Sequence, residues 1–584
     1  MVTFDTTEQE KRIDFLRRRE EEDLAQMLSR KYGVDYIDLS LVAVNSDALR
    51  LIPEATAREA EMASFGLVSK RVSVAVRAPE NPKVKAEILH LQDLGYEVVV
   101  FMCSQESLKR AYERYADLSY ATESKAGVFN LSNQELEEIL TKVTNLEDIG
   151  KLIDEAVKSM KHTYRITRIL EVILAGALAT GASDIHFEPE EGSVRLRYRL
   201  DGVLVDVLTF DFETYKLVLS RLKLLSGLKL NVTGDAQDGR FSIKIKGDEI
   251  EIRSSVLPGN YAENMVLRIL NPKAIQVPLE ELGIEPKLLT RIKHEIAKPN
   301  GMILTTGPTG SGKTTTLYAF LRTVNTTEGK IITIEDPIEY HLKGIVQTQV
   351  DKKNYSFAEG LRSVLRHDPE VVMVGEIRDD EVAEVAINAA LTGHLVFSTL
   401  HTNDAAGSFP RLIDLKVSEK VLSSAISVAM AQRLVRTLCT ACKQTRPATP
   451  QEQALIDSYM NNLVDKSLVP QNRSTVSIPK EGGCPECHSR GYKGRIGIFE
   501  AIFMDSAIEE VLRTRPSERE IATAARPQGV PTMQEDGIIK VLRGMTSIDE
   551  LQRVVDLGLI EPTQSLSTAP SHGEAGSASA SPQS

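Results

Sequence analysis

One stretch constrains this chain more than any other: Gly307-Pro308-Thr309-Gly310-Ser311-Gly312-Lys313-Thr314. It follows the apolar run 302–306 and precedes the helix-forming run 315–324, which is the strand-then-helix context a P-loop requires. Glycines at these places let successive backbone N–H groups turn toward one centre, and the helix N-terminus adds the positive end of its dipole. Phosphate oxygens fit such a cradle. Lys313 is then placed to reach the β and γ phosphates of ATP, with the Thr314 hydroxyl as a ligand for Mg²⁺. A bare glycine-rich turn would supply the letters without both flanking elements.

The fold around this loop follows from periodicity. Strand-length apolar runs at 302–306, 331–334, 371–374 and 395–398 alternate with helical stretches between residues 273 and 438. That pattern predicts an α/β domain with a mainly parallel sheet covered on both faces. Ligands of such sheets lie at the carboxyl ends of the strands. Two acidic clusters fall there: Glu335-Asp336-Pro337-Ile338-Glu339 and Gly375-Glu376-Ile377-Arg378-Asp379. A carboxylate at such a point can orient or deprotonate the attacking water, so Glu335 and Glu376 are the candidate catalytic pair. Two surface turns are the other reading of these letters. Gly375 ends the second strand where a P-loop enzyme usually has an Asp for the metal, so an indirect metal shell is expected. His394 and His401 bracket the run 395–400 and are candidate sensors of the γ phosphate, although a lone histidine there is more often structural.

At 584 residues the chain exceeds a single core, and a prior of about 150 residues per domain suggests roughly four units. Residues 1–118 read as an N-terminal α/β docking module and 119–160 as a helical linker. Residues 161–272 read as an α+β (PAS-like) domain, in which Val194, Leu196, Tyr198 and Leu200 alternate with Arg195, Arg197, Arg199 and Asp201. Asp201-Gly202 is a two-residue hairpin turn. Residues 501–562 read as helices divided at Pro516 and Pro531, and 563–584 as a disordered Ser, Ala, Gly and Pro-rich tail. The longest apolar run, 170–182, has 13 residues, short of the roughly 20 needed to span a bilayer. With no apolar signal segment near the start, a cytoplasmic location is expected. A net charge of −12 disfavours a nonspecific nucleic-acid coat.

Four of the five cysteines form two pairs, Cys439-Thr440-Ala441-Cys442 and Cys484-Pro485-Glu486-Cys487. Two such knuckles can meet at one tetrahedral Zn²⁺, within a subdomain spanning 439–500. The 41 residues between them are no obstacle, because loop-closure cost rises only logarithmically with length. Redox pairs are the alternative. With four thiolate ligands the site would be closed and structural, and Cys103 would be a core thiol.

Further motifs are Ala182-Ser183-Asp184-Ile185-His186-Phe187-Glu188-Pro189, Gln237-Asp238-Gly239-Arg240, Glu335-Asp336-Pro337-Ile338-Glu339-Tyr340 and Thr399-Leu400-His401-Thr402. With the P-loop and the segment 365–379, and in this order, they make residues 160–560 resemble the secretion ATPases of type II secretion and type IV pilus assembly. The resemblance implies a RecA-like motor domain in a homo-hexamer, peripheral at the inner face of the cytoplasmic membrane. There it would drive pilin addition or extrusion through an integral-membrane platform protein and other parts of the machinery. It also implies arginines sent toward the nucleotide phosphates by the preceding domain, with Arg199, Arg221 and Arg240 at the matching motifs. A solvated basic strand face is the plainer reading of each. Glu370 stands where the family usually has Asp, and the N-terminal text Ser29-Arg30-Lys31-Tyr32-Gly33 lacks the Arg-Leu-Gly pattern by which some relatives bind cyclic di-GMP, so that ligand is not expected. The cysteine segment favours extension or secretion over retraction. Two rival functions are a RecA-like nucleic-acid translocase, thinly supported with no Trp and 5% aromatics, and a nucleotide-binding scaffold of low turnover. No direct nucleic-acid partner is expected.

Overall fold

The structure is a computed structural model that describes residues 20–39, 42, 44–49, 51–68, 70–115, 128–130, 139, 142–143, 145–159, 162–245, 248–271, 276–351 and 355–558. It divides into two compact units, Met1–Asn271 and Pro272–Ser584.

The first unit contains two sheets. The N-terminal one has the order β1-β4-β3-β2, built from β1 (Asp35–Tyr36), β2 (Met62–Val68), β3 (Arg71–Val76) and β4 (Glu97–Met102). β3 and β4 are parallel, so a crossover is required. The helix Pro82–Asp93 supplies it, started by the Asn81 side chain and by proline at its first turn. Cys103 is buried in this module, and burial pushes its thiol pKa up.

The second sheet has the order β5-β9-β10-β11-β6-β7-β8. Its strands are β5 (Val128–Asn130), β6 (Asp184–Glu190), β7 (Ser193–Leu200), β8 (Val203–Phe210), β9 (Gln237–Ile245), β10 (Asp248–Leu257) and β11 (Asn264–Leu270). Val194, Leu196, Tyr198 and Leu200 are all fully buried, as the period-2 pattern predicts. Asp201 and Gly202 have φ of 51° and 85°, the left-handed pair that matches the twist of a tight hairpin.

The expected linker needs correction. Val128–Asn130 is a strand parallel to β9, too short to leave a sequence signal. Leu146–Ser159 is a helix that buries Ile149, Ile153 and Ala156 in the core of this sheet. Those positions recur at i, i+4 and i+7, one face of a helix, so this stretch is part of the domain.

The second unit is built on a seven-stranded sheet of order β14-β13-β15-β16-β12-β17-β20. The strands are β12 (Gly301–Thr306), β13 (Ile331–Glu335), β14 (Val346–Gln349), β15 (Val371–Val374), β16 (Leu395–Leu400), β17 (Ile426–Leu438) and β20 (Tyr492–Phe503). All neighbours are parallel except β17 and β20. Alternate residues serve two cores: Met302 and Leu304 pack on one face, Ile303 with Tyr318 and Phe320 on the other. Burial of each such aliphatic side chain contributes about 1.5–3 kcal/mol. All four apolar runs are strands where periodicity placed them.

Two segment boundaries differ from expectation. Residues 492–503, expected to be divided between a cysteine subdomain and a helical region, form the long edge strand β20 of this sheet. The excursion between β17 and β20 holds the two-stranded pair β18 (Gln444–Pro447) and β19 (Thr475–Ile478), and the helix Pro450–Asn462. The helices that follow β20 bury Ile508, Leu512, Ile538 and Leu551 in the core shared with Met302 and Leu304. Among the described residues, no helix is long and apolar enough to cross a membrane.

Glu550 locks one of these helices to the sheet. Its fully buried carboxylate accepts from Arg436 at 2.6 Å and 2.8 Å and from Arg553 at 2.7 Å and 2.9 Å. Burial alone would push its pKa up; the arginines outweigh burial, and the carboxyl sits at about 2. Its contribution is therefore complete above the unfolded value of about 4.3 and is lost as pH falls toward the folded value. Glu550→Gln leaves a buried arginine without its counter-charge and should lower stability by about 3 kcal/mol at neutral pH. A denaturant midpoint series should show this difference shrinking as pH is lowered through 4; a constant difference would contradict the clamp.

Candidate active site

The P-loop leaves β12 at Thr306 and turns on three glycines in the left-handed region, Gly307 (φ 145°), Gly310 (80°) and Gly312 (91°). Space as well as conformation demands glycine at two of them. A Cβ on Gly307 would lie 2.6 Å from the Gln432 carbonyl oxygen and 2.7 Å from Ser311 Oγ; one on Gly312 would lie 2.9 Å from Gln432 Nε2. The helix Lys313–Val324 begins with no side-chain cap, so its first N–H groups remain available to a ligand. Pro308, Thr309, Gly310 and Thr314 are exposed at the mouth, while Ser311 is buried. Lys313 Nζ folds back over the loop, donating to the Gly307 carbonyl at 2.7 Å and that of Pro308 at 3.2 Å. Burial lowers its pKa and the nearby Glu376 opposes that shift.

Two residues that sequence reasoning passed over support the loop from behind. Gln432 Nε2 donates to the Ser311 carbonyl at 2.7 Å. Arg433 donates to the Gln432 carbonyl at 3.1 Å and to that of Asn403 at 2.8 Å. The available signal was a polar pair interrupting the apolar strand β17 one step past the register partner of Thr306, Ala431.

The carboxyl ends of β12, β13, β15 and β16 share one edge because these strands are parallel and in register. The two expected glutamates behave differently there. Glu335 is 3% exposed. Its oxygens accept from the Tyr318 hydroxyl, from Thr333 Oγ1 at 2.6 Å and from Gln347 Nε2 at 3.0 Å. It is saturated beneath the P-loop helix. Glu376 lies beside Lys313, with His401 Nε2 at 2.9 Å and Arg378 against its other oxygen. Burial works against its ionisation, but the bonds from Arg378 and His401 prevail and hold it below its ordinary value. Of the two, Glu376 is the carboxylate whose charge is felt at the lysine.

His394 corrects another expectation. It sits before the amino end of β16, with Nδ1 3.0 Å from the Ala389 carbonyl oxygen. The intervening six-residue strand separates it from His401 by roughly 20 Å, on the opposite edge of the sheet from the P-loop. It caps the end of the preceding helix, away from this chain's own phosphate cradle.

In the first unit, Arg199 and Arg240 belong to one row across the second sheet. Arg240, Arg253, Arg268, Asp184 and Arg199 are successive cross-strand partners on β9, β10, β11, β6 and β7. Arg253 and Arg268 were not singled out from sequence, because only the register reveals them. Arg221 lies half-buried on the helix Phe212–Leu225, outside that row.

The four cysteines converge. Their Sγ atoms all lie within 4.8 Å of one another, with Cys439–Cys484 and Cys442–Cys487 at 3.8 Å and Cys484–Cys487 at 3.7 Å. A tetrahedron with Zn–S of about 2.3 Å has edges of about 3.8 Å, whereas a disulfide requires about 2.05 Å. The Cys484 and Gly491 N–H groups each point at Cys487 Sγ from 3.2 Å, donors that suit a thiolate. The donor set could hold zinc.

The family model described as "Type II/IV secretion system protein" matches residues 159–553 of this chain. The chain belongs to that family. The MshEN domain model matches residues 32–122, so the N-terminal module has a family of its own. Among curated relatives, the type II secretion system protein E of Pseudomonas aeruginosa is 43% identical over 421 residues, covering 72% of this chain and 80% of the relative. The type IV pilus assembly ATPase PilB of Myxococcus xanthus is 35% identical over 536 residues, 91% of each. The crystallised ATPase DotB of Legionella pneumophila is similar over 66% of this chain and 94% of its own length, at 22% identity and a TM-score of 0.46. The family is one of secretion and pilus ATPases, and this chain is an ATPase of that class.

Gly307→Ala should lower nucleotide affinity about tenfold or more, since the loop can admit a side chain only by shifting its N–H groups at a cost of about 1–3 kcal/mol, and the same strain should lower the melting midpoint by a few degrees, on the order of the stability lost. Calorimetric titration with ATP analogues checks this; unchanged affinity would contradict the cradle geometry.

Proposed function

We propose that the chain is a homo-hexameric motor that couples ATP hydrolysis to assembly of a type IV pilus or a type II secretion pseudopilus. It works peripherally at the cytoplasmic face of the inner membrane, against an integral-membrane platform protein. The supporting observation is the convergence of P-loop, Lys313, Glu376 and His401 on one sheet edge in a chain of this family.

In this reading the loop N–H groups and Lys313 hold the β and γ phosphates, and Thr314 supplies a hydroxyl to Mg²⁺. Glu376 takes the proton of the attacking water, with His401 and Arg378 holding it ionised until then. Glu335 fixes the P-loop helix to β13 through Tyr318. The arginines of the first unit serve the nucleotide of a neighbouring copy, where a guanidinium that stabilises the negative charge of the transferring phosphate is worth about 10³ to 10⁵ in rate. Cys439, Cys442, Cys484 and Cys487 would hold a zinc ion that ties the excursion between β17 and β20, and with all four positions taken by thiolates the site would leave none for water.

Lys313→Ala should abolish ATP binding and turnover, and Glu376→Gln should bind ATP without hydrolysing it. Steady-state phosphate release together with analogue binding checks both, and full turnover by either variant would refute the assignment. Stimulation by a platform-protein fragment supports the filament motor; stimulation by DNA alone would favour a translocase. Metal analysis of the purified chain should find one zinc per chain, lost in Cys487→Ser with a lower melting midpoint; four titratable thiols and no metal in the parent would overturn the zinc reading.

A further inference from the structure

The arginine row carries a consequence for its one acidic member. Cross-strand partners share a sheet face, so Arg240, Arg253, Arg268 and Arg199 stand in line with Asp184 between the last two. Like charges facing one another across strands are destabilising, and this row would place four guanidiniums side by side. Asp184 interrupts it at one point.

The geometry at that point is specific. Asp184 Oδ1 takes Arg268 Nε at 3.1 Å, and Oδ2 takes Arg199 Nε at 3.3 Å. Its side chain is 8% exposed, whereas those of Arg268 and Arg199 are 59% and 35% exposed. One buried carboxylate thus grips two more exposed arginines by their inner nitrogens, and Arg199 Nη1 is tied in addition to the Gly202 carbonyl of its own hairpin turn at 3.3 Å. The carboxylate is itself fixed. Ser183 Oγ donates to Oδ2 at 2.8 Å, the Ser183 N–H bonds the Arg199 carbonyl at 2.9 Å, and the Ile269 N–H bonds the Ser183 carbonyl at 2.9 Å. Arg253 is held separately, by Glu251 at 3.4 Å on its own strand.

We propose that Asp184 is a positioning residue for ATP hydrolysis. It holds Arg199 and Arg268 as a matched pair whose charge serves the outermost phosphate of a bound nucleotide. This rests on the reading in which the row serves the nucleotide. Asp184 touches no substrate; it removes the freedom of two long side chains and relieves their mutual repulsion, so that both donors are in place when negative charge spreads over the transferring phosphate.

The test uses the full-length chain, with phosphate release and ATP-analogue affinity measured for Asp184→Asn, Arg199→Ala, Arg268→Ala, the double arginine variant, and that double variant carrying Asp184→Asn as well. Glu190→Gln is the control, since Glu190 lies on β6 like Asp184 but outside the row and pairs with Arg195 of β7 at 2.6 Å. Asp184→Asn should lower kcat by about 10²-fold, the scale of a misplaced catalytic group, with KM and analogue affinity close to the parent and a lower melting midpoint because two arginines lose their counter-charge. It should cause no further loss in the background lacking both arginines. Glu190→Gln should behave as the parent. Parental turnover by Asp184→Asn while either arginine variant is impaired would overturn the positioning role and leave the arginine reading standing. Further loss on adding Asp184→Asn to the double variant would likewise overturn it, as a structural effect. Parental turnover by both arginine variants would overturn the arginine reading and the proposal with it.

Discussion

The whole arrangement depends on a helix that starts without a cap. Backbone N–H groups at the beginning of Lys313–Val324 lack side-chain partners, and such donors are tolerable only if water or a ligand takes them. Placing them where β12 ends, over a loop in which Gly307 and Gly312 leave no room for a side chain, makes that ligand an anion. The parallel sheet then adds its own condition: strands running the same way deliver their carboxyl ends, and the loops that carry chemistry, to the same edge. Glu376 and His401 are brought beside Lys313 by that topology, although 63 and 88 residues separate them from it in sequence.

Charge is managed by pairing in both units. Glu376 keeps its proton off because Arg378 and His401 bond it, Glu550 because Arg436 and Arg553 do. Asp184 is divided between Arg199 and Arg268. The three carboxylates differ in what they face. Glu550 is sealed in the interior and serves stability, Glu376 acts by its charge on the lysine of the phosphate cradle, and Asp184 lies beneath exposed guanidiniums.

Features set by local sequence were legible before any coordinates. The P-loop, the four apolar strands, the Asp201-Gly202 turn and the two cysteine knuckles each depend on residues close together in the chain. Features set by register or side-chain direction were not. Nothing in the letters separates Glu335 from Glu376; the former turns under the helix to Tyr318 and Thr333, and the charge of the latter is felt at Lys313. His394 resembled His401 in flanking the same strand, yet a strand's two ends lie on opposite edges of a sheet. Arg253 and Arg268 became visible only when β10 and β11 were aligned beside β9 and β6. The helix Leu146–Ser159 was hidden by its polar face, although its three buried positions had helical spacing.

The central claim is that hydrolysis needs the phosphate cradle of one chain and the arginine row of another. Mixing tests it most directly. Lys313→Ala chains and Arg268→Ala chains, each deficient alone, are combined at equal concentration under conditions that allow subunit exchange, and phosphate release is followed. The account predicts recovery of turnover, because a Lys313-bearing cradle from the second variant then meets an intact row from the first. A mixture no more active than the average of its parts, with exchange shown to be complete, would contradict it.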